Sequence, residues 1–266
     1  MQTLSRQLRR KHVGGERLPS VFNELSNIGA DARRGEILMV VAQPTGGKSA
    51  VALWMALKWI QEGLRGIYWS ADAVAKPTAT RVLSMSTGIT TSQAETGLDA
   101  GDELMLERID ELTHEGLMWT FDGSITSQSL EMNVEAFREL WGANPDWIVI
   151  DNLTDVDTRD SNDEFGGLRA MMRDLNHMVR ELNAAGVVLH HVSEEAPENP
   201  IPARKFIHGK VSVKPTVVIG TARTTGGSRK PLGSLKNRYG YEDKRGKNAI
   251  WVPFNPLTLQ FEEVGP

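Results

Sequence analysis

The strongest constraint on this 266-residue chain is its alternation of short apolar runs with longer amphipathic stretches. Strand-like runs fall at Glu36–Ala42, Gly66–Ser70, Leu117–Phe121, Trp147–Ile150, Val187–His191, Thr216–Ile219, Ala249–Val252 and Leu257–Glu262. Helical stretches lie between them, at about 49–63, 76–87, 101–115, 128–142 and 166–185. The earlier strands are apolar on both faces, as central parallel strands are. This rhythm predicts an α/β protein with a doubly wound, mostly parallel sheet and right-handed crossovers. The last strands follow one another without long helices, which predicts an antiparallel extension at one edge. The length suits one domain over 20–266, preceded by a basic arm or linker helix over 1–19.

The first strand runs into Ala42-Gln43-Pro44-Thr45-Gly46-Gly47-Lys48-Ser49 and then into a helix. This is the context of a phosphate loop, in which backbone N–H groups and a helix N-terminus face an anion. Gly46 and Gly47 let the backbone close around phosphates. Lys48 neutralises the β- and γ-phosphates of ATP, and Ser49 offers its hydroxyl to Mg²⁺. Pro44 and Thr45 complete the nucleotide cradle. The loop departs from GxxxxGK[ST] at its first position, where Ala42 replaces glycine.

Three further strand ends carry candidate chemistry. Trp147–Ile150 ends in Asp151, a carboxylate placed to hold the Mg²⁺ shell. Gly66–Ser70 leads to Asp72, placed to orient an attacking water. Val187–Leu189 ends in His190 and His191, one of which can reach a γ-phosphate and report its loss. Adjacent strand residues point to opposite faces, so the two histidines do not share one metal ion.

Charge is unevenly spread. The net charge is −4, yet the segment from Arg204 to Lys247 carries +10, leaving −14 on the rest. Such asymmetry fits one face built for an anionic partner. Two irregular segments follow sheet strands, where α/β proteins place ligands. The first, Asp155–Gly167, is acidic. The second, Ser193–Pro215, carries Arg204, Lys205, Lys210 and Lys214, suited to the backbone of single-stranded DNA, with RNA not excluded. Phe206, in the same segment, is a candidate for stacking on a base. The chain has no cysteine, which excludes disulfides, zinc–thiolate sites and cysteine nucleophiles. No apolar run approaches about 18 residues and the N-terminus lacks a signal-peptide core, so the expected location is cytoplasmic, away from membranes.

Taken together, these motifs resemble the RecA-like motor ATPases of the DnaB and RepA hexameric helicase family (helicase superfamily 4), especially compact phage-encoded members. The resemblance covers about residues 20–262, without that family's N-terminal primase-interacting domain. It implies a catalytic role at Asp72, where the family usually carries Glu, and a sensor role at His191. It also implies that Lys236 and Arg238, in Lys236-Asn237-Arg238, reach the ATP of a neighbouring subunit in a homo-oligomeric, six-membered ring. The expected activity is ATP-dependent movement along single-stranded DNA in phage-type replication or recombination, in the host cytoplasm if phage-encoded. Two other readings stay open. The acids near Asp151 suit a metal-dependent, structure-specific DNA nuclease on the same scaffold. The ensemble also suits a recombinase-like ATPase that binds single strands without unwinding.

Overall fold

The computed structural model describes residues 15–71, 74–121, 125–155, 164–197, 200–223 and 227–262. Its centre is an eight-stranded sheet in the order β3-β2-β4-β5-β1-β6-β7-β8. The strands are β1 (Ile37–Ala42), β2 (Gly66–Ser70), β3 (Leu117–Phe121), β4 (Trp147–Asp151), β5 (Ala185–His191), β6 (Val217–Thr221), β7 (Arg229–Asn237) and β8 (Ile250–Pro253). Strands β1 to β6 pair in parallel, and β7 and β8 add antiparallel pairs at one edge.

The central strands are apolar on both sides because both sides are covered. Leu38 and Val40 pack into one core with the helix that follows the phosphate loop, while Met39 and Val41 pack into the other. That helix, Lys48–Gln61, buries Trp59 against Trp147 with ring centroids 6.0 Å apart. Helices Ser127–Trp141 and Glu164–Leu182 cover the opposite face.

Three features differ from the sequence expectation. The expected helix near 101–115 is Glu103–Glu115, but a further helix, Thr91–Ala100, precedes it, each with its own N-cap. Thr90 and Gln93 form a capping box that starts the further helix. The expected strand Leu257–Glu262 is instead a turn, with Leu259 at φ 58°, that returns Phe261 to bridge Phe254. The longest strand, β7, is not among the expected apolar runs, because lysines lie near both of its ends.

Candidate functional site

The loop between β1 and Lys48–Gln61 is closed tightly. The Gly46 N–H donates to the Gln43 carbonyl at 3.0 Å, and Thr45 and Gly47 adopt φ 62° and 89°. A Cβ on Gly46 would lie 2.6 Å from the Ala42 Cβ, so the close approach requires glycine there. Pro44 and Thr45 are exposed at the crest of the loop. The Gln43 side-chain amide donates to the carbonyls of Glu194 and Ala196 at 2.7 and 2.8 Å, fastening the loop to the segment after β5.

Parallel register brings the other strand ends to the same edge. Ala42 is level with His191, and Ser70 with Asp151. The Lys48 ammonium, buried with its helix terminus, donates to His191 Nε2 at 3.2 Å. The Asn152 amide nitrogen lies 3.3 Å from the same ring nitrogen. Two donors converge on Nε2, so the imidazole presents its lone pair there. The Ser49 hydroxyl is hydrogen-bonded to the Asp151 carboxylate, and the peptide bond from Asp151 to Asn152 is cis. Tyr68, from β2, donates its hydroxyl to Asp151 Oδ2 at 2.9 Å.

Burial raises the Asp151 carboxyl above its ordinary range, against the opposing pull of Ser49, Tyr68, Lys48 and Arg81. Burial also raises the Tyr68 phenol, with the Asp151 charge and hydrogen bond adding to it. His190, on the other side of its strand, is pushed down to about 4 by burial and donates from Nε2 to the His208 carbonyl at 3.1 Å. It is therefore a neutral core histidine at physiological pH, and His191 is the one at the loop.

This assembly of phosphate loop, buried strand-end carboxylate and strand-end histidine sits at one edge of the parallel strands. A family profile described as an AAA domain (AAA_25) matches residues 5–197. The chain belongs to this AAA domain family. It is 29% identical to the Gene 65 protein of Mycobacterium phage L5 over all of both chains. It is 28% identical to the Gene 65 protein of Mycobacterium phage D29, over 85% of this chain and 99% of that one. Among solved structures, an ATPase domain superposes with a TM-score of 0.77 at 16% identity, over 93% of this chain and 91% of that one. A DnaB-like replicative helicase, determined with its interactions with primase, gives 0.76 at 16% identity, over 92% of this chain and 61% of the other. The fold is that of the RecA-like helicase ATPase domains. No helix among the described residues is long and apolar enough to cross a membrane.

Within this AAA domain the remaining candidates are scattered. Asp72 lies outside the described residues, as does the acidic stretch 156–163. Arg204, Lys205 and Lys210 line a groove of about 1120 Å³, joined there by Lys244, Arg245 and Lys247. Two segments build it together: the Arg204 N–H donates to the Lys244 carbonyl at 3.0 Å. Lys214 is exposed but outside the groove lining. Phe206 lies half-buried in it, with the Lys205 ammonium 4.9 Å from its ring centroid.

Lys236 and Arg238 part company. The Lys236 ammonium donates to the carbonyls of Ser212, Val213 and Pro215 at 3.0, 2.7 and 2.6 Å. Burial, followed by the charges of Arg238 and Arg204, lowers it to about 8, so it stays cationic at neutral pH. It is held inside its own chain, in contrast to the reach between subunits that the helicase resemblance implies. Arg238, two residues further on, is exposed. Its turn is fastened down: the Asn237 amide donates to the Ile28 carbonyl at 2.6 Å, and the Arg33 guanidinium lies 3.8 Å from the Tyr239 ring centroid. Sequence reasoning missed Tyr68, which reads as a core aromatic within an apolar strand. It also left Lys244, Arg245 and Lys247 as general basic charge rather than groove residues.

Proposed function

We propose that this protein is an ATP-driven nucleic-acid motor of the helicase type, acting on single-stranded DNA and hydrolysing ATP between subunits. The observation that carries the reading is the placement of its cations relative to the sheet. Lys48, Ser49, Asp151 and His191 share the edge where parallel strands end. Arg238 follows Asn237, which pairs with Val217 and so lies level with Leu38, at the start of β1. The strand length from Leu38 to Ala42 is roughly 13 Å. An arginine at the foot of the sheet is remote from its own phosphate loop and suits the loop of a neighbour stacked head to tail. Such heterologous contacts close into rings or continue as filaments.

The residues at the loop fit a magnesium nucleotide. Ser49 and the buried Asp151 are adjacent hard oxygen donors beside a helix terminus, the set Mg²⁺ prefers when phosphates supply the rest. Bound Mg²⁺ would neutralise charge on the phosphates. Lys48 shifts from His191 to the phosphate chain, and His191 and Asn152 are left facing the position of the terminal phosphate. The water-orienting role falls to Asp72. The basic groove takes the DNA backbone through Arg204, Lys205 and Lys210.

Purified protein is expected to hydrolyse ATP faster with single-stranded DNA and to unwind a forked duplex only with ATP and Mg²⁺. Cutting of the fork without ATP would support the nuclease reading instead, and stimulated hydrolysis without unwinding the recombinase-like one. Mixing inactive Lys48→Ala with inactive Arg238→Ala subunits is expected to restore part of the ATPase. No recovery on mixing would remove the shared-site assignment.

A further inference from the structure

A second buried lysine reaches the phosphate loop from the antiparallel end of the sheet. Lys230 is the second residue of β7, which runs antiparallel to β6. Leu232 pairs with Thr221, one residue beyond the Gly220 that pairs with Val41. The start of β7 therefore overhangs the carboxyl end of β1, where the phosphate loop begins. Lys230 is only 4% exposed. Its ammonium donates to the Ala222 carbonyl at 3.1 Å and lies 5.4 Å from the Phe254 ring centroid.

The approach to the loop is close. A Cβ built on Gly47 would lie 2.4 Å from Lys230 Nζ and 2.6 Å from its Cε. Gly47 is the N-cap of Lys48–Gln61 and adopts φ 89°. The Lys230 ammonium thus occupies the place that any side chain at 47 would need. It brings a second lysine amino group to a helix N-terminus that already carries the positive end of the dipole and Lys48. Phosphates seated at that terminus meet all three.

The two lysines come from opposite directions. The Lys48 ammonium is turned towards β5, 3.2 Å from His191, on the side of Asp151. Lys230 comes from β7, two strands to the other side of β1. The reacting end of a bound nucleotide belongs with Asp151 and His191. The other side of the loop faces the phosphates that stay with the nucleoside.

We propose that Lys230 is a second phosphate-binding cation of the nucleotide site, supplied by the same subunit and directed at the phosphates retained in ADP. The assignment rests on the phosphate-loop reading given above. It differs from the role of Arg238, which is supplied by a neighbour and acts on the leaving phosphate. A cation on the retained phosphates binds ATP and ADP alike.

The test is equilibrium binding of ADP and of a non-hydrolysable ATP analogue to the full chain, by calorimetry. Lys230→Met removes the charge beside Phe254. Lys230→Gln also removes it but keeps a donor for the Ala222 carbonyl, which protects the fold. Both variants are expected to weaken ADP and the analogue in parallel, by about 10- to 100-fold, the range for losing a hydrogen bond to a charged group. The ADP-induced rise in melting temperature should shrink in step. Unchanged affinity in a folded Lys230→Gln would overturn the proposal and leave Lys230 as a support for the Ala222 carbonyl. Weakened analogue with unchanged ADP would also overturn it, moving the lysine to the terminal phosphate. Failure of the unmutated protein to bind either nucleotide would reject the phosphate-loop reading itself, a result separable from the other two.

Discussion

Lys236→Met separates an internal strut from a residue that works on a neighbour's nucleotide. The Lys236 ammonium holds three carbonyls, those of Ser212, Val213 and Pro215, and is 8% exposed. Methionine keeps the length of the side chain and none of the donors. Each carbonyl left dry and unpaired costs about 1 kcal/mol at the low end of the usual range. Removing the buried charge, and its repulsion from Arg204 and Arg238, returns part of this. The net loss is expected near 2 kcal/mol, a fall of roughly 4–8 °C in melting temperature for a domain of this size. Thermal unfolding followed by circular dichroism measures it, with Arg238→Ala as the comparison. Arg238 is exposed, so its replacement should change stability by less than about 0.5 kcal/mol while lowering ATP turnover by about 1,000-fold or more. A Lys236→Met protein with unaltered melting and lost ATPase, restored by mixing with Lys48→Ala subunits, would refute the argument and return Lys236 to the shared site.

Other outcomes follow from the same structure. Tyr68→Phe deprives the Asp151 carboxylate of a donor, so the Mg²⁺ concentration needed for half-maximal ATPase should rise about 10- to 100-fold, as with other residues that orient metal ligands; titration of activity with Mg²⁺ reads it. Replacing Lys244, Arg245 and Lys247 by Ala should weaken single-strand binding and flatten the slope of log K against log salt by about 0.7 for each phosphate no longer neutralised; an unaltered slope would place nucleic acid outside the groove. His190 has a folded value of about 4 against 6.5 unfolded, so folding favours the neutral ring. Its contribution is present above pH 6.5 and is lost as the pH falls towards 4, about 3 kcal/mol in all. Urea unfolding across that window should show the decline in the unmutated protein, and His190→Gln should show a flatter one.

What the sequence makes legible, and what it hides, follows from how each part of the site is assembled. The phosphate loop is contiguous: one strand, eight residues and one helix carry the glycines, Lys48 and Ser49, so chain order alone locates it. The strands β1, β2, β4 and β5 are equally plain, because burial on both faces demands uninterrupted apolar residues. Asp151 and His191 are legible for the same reason, as polar residues that close such runs. Strand β7 obeys the opposite logic. Its sequence, RKPLGSLKN, carries charge near both ends and contains Pro231 and Gly233, which ordinary periodicity assigns to a loop. It is a strand because each buried lysine finds its partners elsewhere: Lys230 at Ala222 and over Gly47, Lys236 at three carbonyls between Ser212 and Pro215. Those partners are set by sheet order and register, which no window of neighbouring residues contains. The groove is hidden in the same way, since Lys244 joins Arg204 only when the segment after β7 folds back on the one after β5. Tyr68 looks like one more apolar residue of β2 until parallel pairing sets that strand beside β4 and its hydroxyl meets Asp151. The cations that the fold captures from distant strands are therefore where mutation has most to reveal about this site. Lys230 and Lys236 share a single strand, yet its antiparallel course carries one to the phosphate loop and the other to the foot of the sheet, so the same element is proposed to serve a nucleotide at one end and seen to brace the fold at the other.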